Sequence, residues 1–534
     1  MPEAKLDFGE FDETTKTNML NFLNYYSARR VRDDPAFTTG ESPFYPDYGV
    51  GQIVSNHIAS VRQKKGGVFW HLSDIADVKY FGQDKLRDLA YSTTRLDSQK
   101  LSLFTPQISR SNTVEVFVDG PECLSMILQE ISLANKYIHL SVMLFFNDTA
   151  GNLIANALAM KAREGIEVRV IADSKATASG YYSGAVEESS HADFSKVADV
   201  MREAGVKVVD SSEESYWEWE WDNKRRQLEE TGVPEEFLFV QDLVQDDVQL
   251  NCNVVYHRKF LIIDGHTSII ASFNIGDQYL YSTQLIPQAG NPHGVPSHPN
   301  QWHDGCFRIK GDFANLLERL FASQWMVLPG GDFYTYQSSF YRSQDHTKGP
   351  DDCALFMSFP GNPINRIRQY YIGLLEFSDG NVIIENPYII DNEFWSTLSH
   401  LSPQRAKQIT ICNPFSNNDV RLNKPAIKCN GWQAVDNGVL LYDYFNGARF
   451  SHWKIALDKT AGCVFYGSYN LNYRSALHDF ETCILVKSQN VSERISSLLE
   501  YDLAISNRLE RDIFFQHPLL HPSCYFEELF NYFS

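Results

Sequence analysis

The chain has 534 residues, 43% hydrophobic and 13% aromatic, which excludes a disordered, collagenous or low-complexity protein and predicts two or three compact domains. Its 67 acidic residues outnumber the 47 basic ones, and the net charge is −20. This negative charge repels the phosphates of duplex nucleic acid, so nucleic acid is not an expected partner.

The nine cysteines show no C-x-x-C pair and no metal-ligand spacing, so we expect reduced thiols. The N-terminus lacks the basic and apolar regions of a Sec signal. No apolar run approaches the roughly 20 residues that span a bilayer. These features predict a cytoplasmic protein with peripheral membrane contact, and they leave export by a Sec-independent route open.

Residues 1–112 carry no catalytic spacing and are interpreted as an N-terminal extension or cap. From Thr113 onward, strands alternate with helices, and a second series of the same kind begins near Cys353. This alternation predicts an α/β fold with mixed sheets flanked by helices. We expect a first unit at 113–345, a second unit at 346–510 and a C-terminal tail at 511–534.

The expected elements follow the hydrophobic pattern of each series. In the first they are a strand at 114–118, a helix opened by Pro121, a strand at 137–146, a helix at 153–163 and a strand at 166–172. In the second they are a helix at 364–377 and strands at 381–388 and 408–412.

Two aromatic segments lie outside these elements. An acidic insert at about 210–250 holds thirteen acids and three bases, a net of −10. Its aromatic residues, which alternate with glutamates, are Tyr216, Trp217, Trp219 and Trp221. We interpret them either as an extended segment packed on the sheet or as a flap that touches lipid. For the tail, docking onto the protein is favoured over a membrane anchor; its apolar residues are Phe514, Phe515, Leu519, Leu520, Tyr525, Phe526, Leu529, Phe530, Tyr532 and Phe533.

The two series share polar residues at matching offsets, which indicates an internal repeat. The first contains Y-H-R-K-F-L-I-I-D-G followed by A-S-F-N, and the second contains S-H-W-K-I-A-L-D followed by G-S-Y-N. From His to Ser is 15 residues in the first and 16 in the second, and from Ser to Asn is two in both. The residues concerned are His257, Lys259, Asp264, Ser272 and Asn274 in the first series, and His452, Lys454, Asp458, Ser468 and Asn470 in the second.

Residues i and i+2 of a strand point the same way, so we expect His and Lys of each H-x-K, and Ser and Asn of each S-x-N, to project together. Two units related by a pseudo-twofold would bring two imidazoles to one cleft between them. That set suits a phosphodiester: one His attacks phosphorus, the other protonates the leaving alcohol, and Lys and Asn hold the non-bridging oxygens. This chemistry needs no metal and no cofactor.

The paired motifs resemble those of the phospholipase D superfamily over roughly residues 113–510. Within it, A-S-F-N-I-G-D-Q-Y-L with Q-W-H-D-G-C-F-R-I-K-G, and G-S-Y-N-L-N-Y-R-S-A-L-H-D-F-E, are similar to segments of bacterial cardiolipin synthases. The resemblance implies that Asp304 orients His257 and that Glu481 orients His452. It also implies substrate contacts for Ser272, Ser468 and Tyr388 of E-N-P-Y.

The sequence departs from the family pattern at two places. Lys454 and Asp458 are separated by three residues instead of four, so strand parity would turn Asp458 toward His452 unless a bulge restores the register. Ala271 stands where the family usually has Gly. Both Asp264 and Asp458 are interpreted as structural acids of their motifs.

These observations predict an enzyme that acts on glycerophospholipids through a phosphohistidine on His257, with transfer of the cardiolipin synthase kind favoured. The acceptor is an alcohol, a lipid or water. The alternatives are a hydrolytic phospholipase D, a nuclease or other non-lipid phosphodiesterase, and a non-catalytic binding protein of the same fold. The oligomeric state and the head-group specificity stay open.

Overall fold

The computed structural model describes residues 6–25, 52–93, 102–183, 186–212, 218–248, 254–282, 286–288, 291–295, 301–343, 348–362, 365–515 and 524. One mixed sheet of 16 strands runs through the molecule, with a separate two-stranded hairpin beside it. The strands up to the hairpin are β1 (Gln107–Val118), β2 (Tyr137–Ser141), β3 (Glu167–Ala172), β4 (Lys207–Asp210), β5 (Val255–Tyr256), β6 (Phe260–Ile263), β7 (Thr267–Ala271), β8 (Ile286–Gln288) and β9 (Asn291–Val295).

The remaining strands are β10 (Gly305–Lys310), β11 (Asp351–Ser358), β12 (Val382–Glu385), β13 (Ile409–Asn413), β14 (Leu440–Asp443), β15 (Ile455–Asp458), β16 (Cys463–Gly467), β17 (Asp479–Lys487) and β18 (Asn507–Arg508). The α/β class expected from the alternating pattern is confirmed.

The strand order is the same in the two halves of the sheet. Outward from the central antiparallel pair β1–β11, the first half runs β1, β10, β7, β6, β2, β3, β4 and the second runs β11, β17, β16, β15, β12, β13, β14. In each half the last three of these strands are parallel, and the strand after each H-x-K is antiparallel to both of its neighbours. This order matches the internal repeat inferred from the motifs.

Helices cover the sheet and build the N-terminal region. Those before β5 are α1 (Glu13–Tyr25), α2 (Gln52–Lys64), α3 (Gln83–Thr93), α4 (Asp119–Leu133), α5 (Thr149–Arg163), α6 (Ser174–Ser183), α7 (Phe194–Glu203), α8 (Glu218–Glu230) and α9 (Glu235–Val248). Those after β10 are α10 (Phe313–Trp325), α11 (Arg366–Phe377), α12 (Asn392–His400), α13 (Pro403–Ala406), α14 (Asn423–Asn437), α15 (Tyr473–Leu477) and α16 (Gln489–Ala504). Within the described part of the chain, no helix is both long and apolar enough to cross a membrane.

The largest apolar core joins the two halves. It contains Phe307 of β10 stacked on Tyr466 of β16, with ring centroids 4.4 Å apart, and Trp453 beside the second H-x-K. Further clusters lie within each half, and a smaller one holds the N-terminal helices together around Phe22 and Leu86. Burial of aromatic side chains between the halves stabilises their association.

β1 begins at Gln107, seven residues before the strand expected from the apolar alternation at 114–118. Its first part pairs with β11 and its second part with β10, and the register shifts between Ser109 and Asn112. Ser111 has a positive φ of 61° at this irregularity. The polar run S-R-S-N interrupts the alternation, which is why the sequence pattern missed the first part of the strand.

The structure corrects the extended interpretation of the acidic insert. Residues 218–230 form α8, because the run D-N-K-R-R-Q-L-E-E after Trp221 consists mostly of good helix formers. Trp221 is buried, and its indole N–H donates to Asp242 at 2.8 Å. Tyr216 and Trp217 lie outside the described residues.

The expectation of reduced thiols is wrong for one pair. Cys429 of α14 and Cys524 form a disulfide across 95 residues, a separation from which sequence spacing gives no signal. Phe514 is buried in the core of the second half, and Lys428 lies over the ring of Phe515 at 5.5 Å. The other apolar residues of the tail lie outside the described residues: Leu519, Leu520, Tyr525, Phe526, Leu529, Phe530, Tyr532 and Phe533.

Candidate active site

The motif residues of the first half meet at one edge of the sheet. His257 and Lys259 precede β6, and Ser272 and Asn274 follow β7. Because β6 and β7 are antiparallel neighbours, the start of one lies beside the end of the other. The residues were expected on the strands themselves, but the structure places them in the irregular segments just outside, so strand end and not strand parity brings them together.

The second half repeats this arrangement. His452 and Lys454 precede β15, and Ser468 and Asn470 follow the antiparallel neighbour β16. The two edges face one another. The hydroxyl of Tyr466 accepts a hydrogen bond from the backbone N–H of Ser272 at 2.5 Å and donates one to the carbonyl oxygen of Gly305.

All eight residues expected to be catalytic are buried: His257, Lys259, Asn274, Asp304, His452, Lys454, Asn470 and Glu481. A single buried polar site therefore spans both halves.

Each histidine is bound by a carboxylate from the other half. Nδ1 of His257 lies 3.0 and 3.1 Å from the carboxylate oxygens of Glu481, and Nδ1 of His452 lies 2.7 Å from Oδ2 of Asp304. The pairing implied by the resemblance, Asp304 with His257 and Glu481 with His452, is reversed. Strand order explains the exchange, because β5 just before His257 pairs with β17, which carries Glu481.

The two serines of the S-x-N segments hold these carboxylates. Ser272 donates to Asp304, and both Ser468 and Ser475 donate to Glu481. The serine hydroxyls, interpreted from the sequence as substrate contacts, thus orient the acids that orient the histidines. Each Nδ1–H donates to a carboxylate, which leaves the lone pair on Nε2 of both imidazoles.

Both lysines are fully enclosed and reach back to the histidine of their own motif. Lys259 Nζ donates to the carbonyl oxygen of His257 at 2.8 Å, and Lys454 Nζ donates to that of His452 at 2.8 Å. Lys454 Nζ also lies 2.9 Å from Nε2 of His452. Burial lowers the pKa of each lysine to about 7, against the opposing attraction of Glu481 and Asp304.

The histidines are held neutral in the resting site. Burial, and then the Lys454 ammonium, lowers the pKa of His452 to about 3 although Asp304 opposes the shift. Burial also lowers the pKa of His257, against the attraction of Glu481. Burial acts to raise the pKa of Glu481, but the contacts with His257 and Lys259 lower it overall. An anion placed between the imidazoles would favour their protonated forms.

Aromatic rings surround His452, and the sequence motifs identified only one of them. The ring centroids of Tyr279, Trp302, Phe450 and Tyr388 lie 5.3, 5.5, 6.1 and 6.4 Å from that of its imidazole. Tyr388, expected from E-N-P-Y to contact substrate, donates its hydroxyl to Asp419 at 2.8 Å. Trp302 and Phe450 each stand two residues before a site residue, which is the signal that could have found them.

The amides of the S-x-N segments complete the site. Asn274 Oδ1 accepts from the backbone N–H of Leu144 at 3.2 Å, and its amide nitrogen lies 3.4 Å from the Tyr279 hydroxyl. Asn470 Oδ1 is buried without a hydrogen-bond partner in the described part of the chain. Asn470 therefore has a buried acceptor oxygen that a hydroxyl group of a bound molecule could donate to.

The two motif acids act outside the site. Asp264, at a positive φ of 56°, accepts from the backbone N–H groups of Asn135, Lys136 and Tyr137 at 2.8, 2.8 and 3.0 Å. Among the described residues, Asp458 accepts from the backbone N–H groups of Thr460 and Ala461, at 3.1 and 3.0 Å, in the turn after its own strand. The shortened spacing in the second motif thus accompanies a local role for Asp458.

Comparisons with known proteins agree with this geometry. A family model described as "Cardiolipin synthase, PLD-like domain" matches residues 127–284. The chain is 23% identical to cardiolipin synthase 1 of Staphylococcus aureus (strain COL) over 412 residues, 77% of this chain and 71% of that protein. It is 25% identical to the major cardiolipin synthase ClsA of Bacillus subtilis (strain 168) over 419 residues, 77% of this chain and 73% of that one.

A solved structure of phosphatidylserine synthase from Haemophilus influenzae Rd KW20 superposes with a TM-score of 0.51 at 13% identity, covering 78% of this chain and 92% of that one. That likeness supports the fold alone. Together with the family model and the curated relatives, the paired H-x-K and S-x-N segments show that the chain is similar to the phospholipase D superfamily, an enzyme superfamily, and within it to the cardiolipin synthases.

Proposed function

We propose that the protein is a phosphatidyltransferase that acts on glycerophospholipids, with an alcohol preferred over water as acceptor. The observation that carries the proposal is the crossed pair of buried imidazoles, His257 on Glu481 and His452 on Asp304, each beside a buried lysine. Two such imidazoles suffice for a double displacement at phosphorus.

In the first step Nε2 of His257 attacks phosphorus, a P–N bond forms and the P–O bond to the leaving alcohol breaks. His452, protonated once the anionic phosphodiester lies beside it, gives its Nε2 proton to the departing oxygen. In the second step His452 removes the proton of the acceptor hydroxyl, whose oxygen attacks phosphorus and releases His257.

The nucleophile is assigned to His257 because its motif keeps the family spacing. Its imidazole is prepared for attack, since Glu481 holds Nδ1–H and leaves the Nε2 lone pair available.

The cations and amides stabilise the charge on the non-bridging oxygens. Lys259 and Lys454 carry their ammonium groups into a water-poor site, where the attraction to a phosphoryl group is strong. Asn274 and Asn470 add amide donors. A phosphodiester that binds here restores the protonated state of both lysines, because its charge raises their pKa from about 7.

The surroundings of His452 support transfer over hydrolysis. The four aromatic side chains at 5.3 to 6.4 Å from its imidazole leave little polar surface to order water, and they offer apolar walls to a lipid or polyol acceptor. An acceptor seated there competes with water at roughly 55 M through proximity alone. A phospholipid donor at a membrane surface is the substrate that such a site suits.

Two alternatives predict different products. A hydrolytic phospholipase D would use the same residues and yield phosphatidic acid. A nuclease would need cationic contacts to several phosphates, which a protein with a net charge of −20 provides poorly.

The test is mass spectrometry of the lipids formed when phosphatidylglycerol vesicles are the only substrate. We expect cardiolipin and free glycerol. Phosphatidic acid alone, from phosphatidylglycerol, phosphatidylethanolamine and phosphatidylcholine alike, would refute the transferase proposal in favour of hydrolysis. His257→Ala and His452→Ala should each abolish turnover, whereas His400→Ala, at an exposed histidine of α12, should not.

A further inference from the structure

Three buried polar atoms converge behind the second histidine and do not take part in the site described above. A ring nitrogen of His303, a carboxylate oxygen of Glu385 and one of Asp502 lie within 4.8 Å of one another. The residues are 4%, 0% and 3% exposed. Among the described residues, Nε2 of His303, Oε2 of Glu385 and Oδ2 of Asp502 make no hydrogen bond outside the cluster, and within it Nε2 of His303 lies 3.4 Å from Oδ2 of Asp502. Buried polar atoms rarely lack a hydrogen bond, and three such atoms close together require an explanation.

The groups are oriented by further side chains in the manner of metal ligands. Nδ1–H of His303 donates to Asp119 at 2.9 Å, which directs the Nε2 lone pair toward the two carboxylates. Asp119 is in turn held by Arg449 at 2.9 Å. Ser451 donates to Oε1 of Glu385, which leaves Oε2 as the carboxylate oxygen without a hydrogen bond among the described residues.

With both carboxylates ionised and His303 neutral, the cluster carries unbalanced negative charge. Asp119 and Arg449 offset one another, while Glu385 and Asp502 bring two buried carboxylates to one place. Two adjacent carboxylates in a buried site are strongly unfavourable unless a cation or protons compensate them. One divalent cation would balance the two charges.

We propose that His303, Glu385 and Asp502 bind one divalent transition-metal cation through Nε2, Oε2 and Oδ2. His303 Nε2 and Asp502 Oδ2 are 3.4 Å apart, which equals the edge of a tetrahedron with metal–ligand bonds of about 2.1 Å, roughly 3.4 Å. An imidazole with two carboxylates suits Zn²⁺ or Mn²⁺ better than Mg²⁺ or Ca²⁺, which prefer all-oxygen sites.

A second group with metal-like spacing, His257, Asp479 and Glu481, does not carry the same inference. There Nδ1 of His257 is already hydrogen-bonded to both oxygens of Glu481. His257 and Glu481 of that group belong to the proposed catalytic site.

The proposed cation would position the second histidine without taking part in bond making. His303 accepts from the backbone N–H of His452 at 2.8 Å and donates its own to the carbonyl oxygen of Phe450 at 2.9 Å. The next residue, Asp304, orients the imidazole of His452. Because Glu385 ends β12 and Asp502 lies on α16, the cation would join the first half to the second directly behind His452.

The alternative is that protons on His303 and Glu385, and not a metal ion, balance the charge of the cluster. Burial opposes but Asp119 and Asp502 raise the pKa of His303, and burial raises that of Glu385 to about 8. With a proton on each group the cluster is neutral without a metal. Glu385→Gln distinguishes the two: it removes a ligand and destabilises the protein if a cation is bound, and it changes the stability little if Glu385 already carries a proton.

The test is elemental analysis of untagged full-length protein, purified without chelator, together with thermal melting. We expect about one Zn or Mn per chain, a fall in Tm with chelator and recovery with Zn²⁺ or Mn²⁺. Glu385→Gln and Asp502→Asn should each lower the metal content at least tenfold and abolish the chelator-dependent shift. Glu318→Gln, at a buried glutamate bonded to His139 and Tyr334, is the matched control and should keep the metal.

A wild-type protein that contains no metal, and whose Tm does not change with chelator or added Zn²⁺ and Mn²⁺, would overturn the proposal. A Glu385→Gln protein at least as stable as wild type would do the same, because it would show that no bound cation depends on that carboxylate. A response to Mg²⁺ or Ca²⁺ alone would overturn the assignment to a transition metal. None of these readouts depends on the catalytic activity.

Discussion

The crossed pairing of acids and histidines makes the two carboxylates distinguishable by experiment. Asp304 holds His452, the proposed general acid, at 2.7 Å, and Glu481 holds His257, the proposed nucleophile, at 3.0 Å. In Asp304→Asn the imidazolium of His452 loses the negative charge that stabilises it. General acid catalysis is worth about 10²- to 10⁴-fold, so we expect a loss of about 10³-fold on a natural lipid. Glu481→Gln should lose a similar factor, because His257 loses its orienting acceptor.

The rate losses of the two variants should differ on a substrate whose leaving group needs no proton. With a p-nitrophenyl phosphodiester substrate, the first burst of nitrophenolate measures only the attack by His257. We expect the defect of Asp304→Asn to shrink to about 10-fold or less, because acid catalysis is no longer required. Glu481→Gln should keep most of its defect. Rapid-quench measurement of the burst, with Glu318→Gln as control for a buried acid outside the site, checks this.

A burst restored in Glu481→Gln but not in Asp304→Asn would refute the reasoning. It would assign the nucleophile to His452. Equal defects on both substrates in both variants would show that the carboxylates act on overall site structure and not on separate proton positions.

Three further outcomes follow from burial and hydrogen bonding. Lys454→Met should abolish activity yet stabilise the fold at pH 7. Burial lowers the pKa of Lys454 from 10.5 to about 7, which corresponds to roughly 5 kcal/mol of destabilisation at about 1.36 kcal/mol per pKa unit. Because the variant also loses the hydrogen bond to His452, we expect a net gain of about 1–3 kcal/mol in the free energy of unfolding, measured with urea. The same lowered pKa values of Lys259 and Lys454 predict that inorganic phosphate binds with proton uptake and that its affinity falls as pH rises above about 7, which calorimetry in two buffers tests; affinity that rises with pH would contradict it. Asp264→Ala should cost about 2–4 kcal/mol and Asp458→Ala about 1–2 kcal/mol, since the former loses three long-range backbone hydrogen bonds and the latter two local ones; equal losses in melting experiments would show that Asp458 does more than cap its turn.

Much of the site could be predicted from the sequence because its residues recur. The two H-x-K and S-x-N segments identified both histidines and both lysines, and the alternation of strands and helices predicted the α/β class. Strand parity does not account for their convergence, since His257 and Ser272 meet through the antiparallel pairing of β6 with β7. Sequence periodicity describes one strand at a time and carries no information on neighbours.

The contacts between the halves could not be predicted. Which acid binds which histidine depends on β17 lying beside β5, a pairing between residues more than 200 positions apart. The positions of His303 and Asp502 depend in the same way on α16 packing behind the second motif. The disulfide depends on Cys524 lying beside Cys429, 95 residues before it. Each is a long-range contact that apolar patterns do not encode.

The proposed reaction passes through a covalent bond between phosphorus and His257, and trapping that adduct tests the proposal most directly. His452→Ala, incubated with a p-nitrophenyl phosphodiester lipid, lacks the base that activates the acceptor. It should therefore accumulate a phosphatidyl adduct, which mass spectrometry of peptides kept at alkaline pH should locate on His257. His257→Ala should remain unlabelled under the same conditions. An adduct on His452 in the His257→Ala protein, with none on His257 in the His452→Ala protein, would contradict the account.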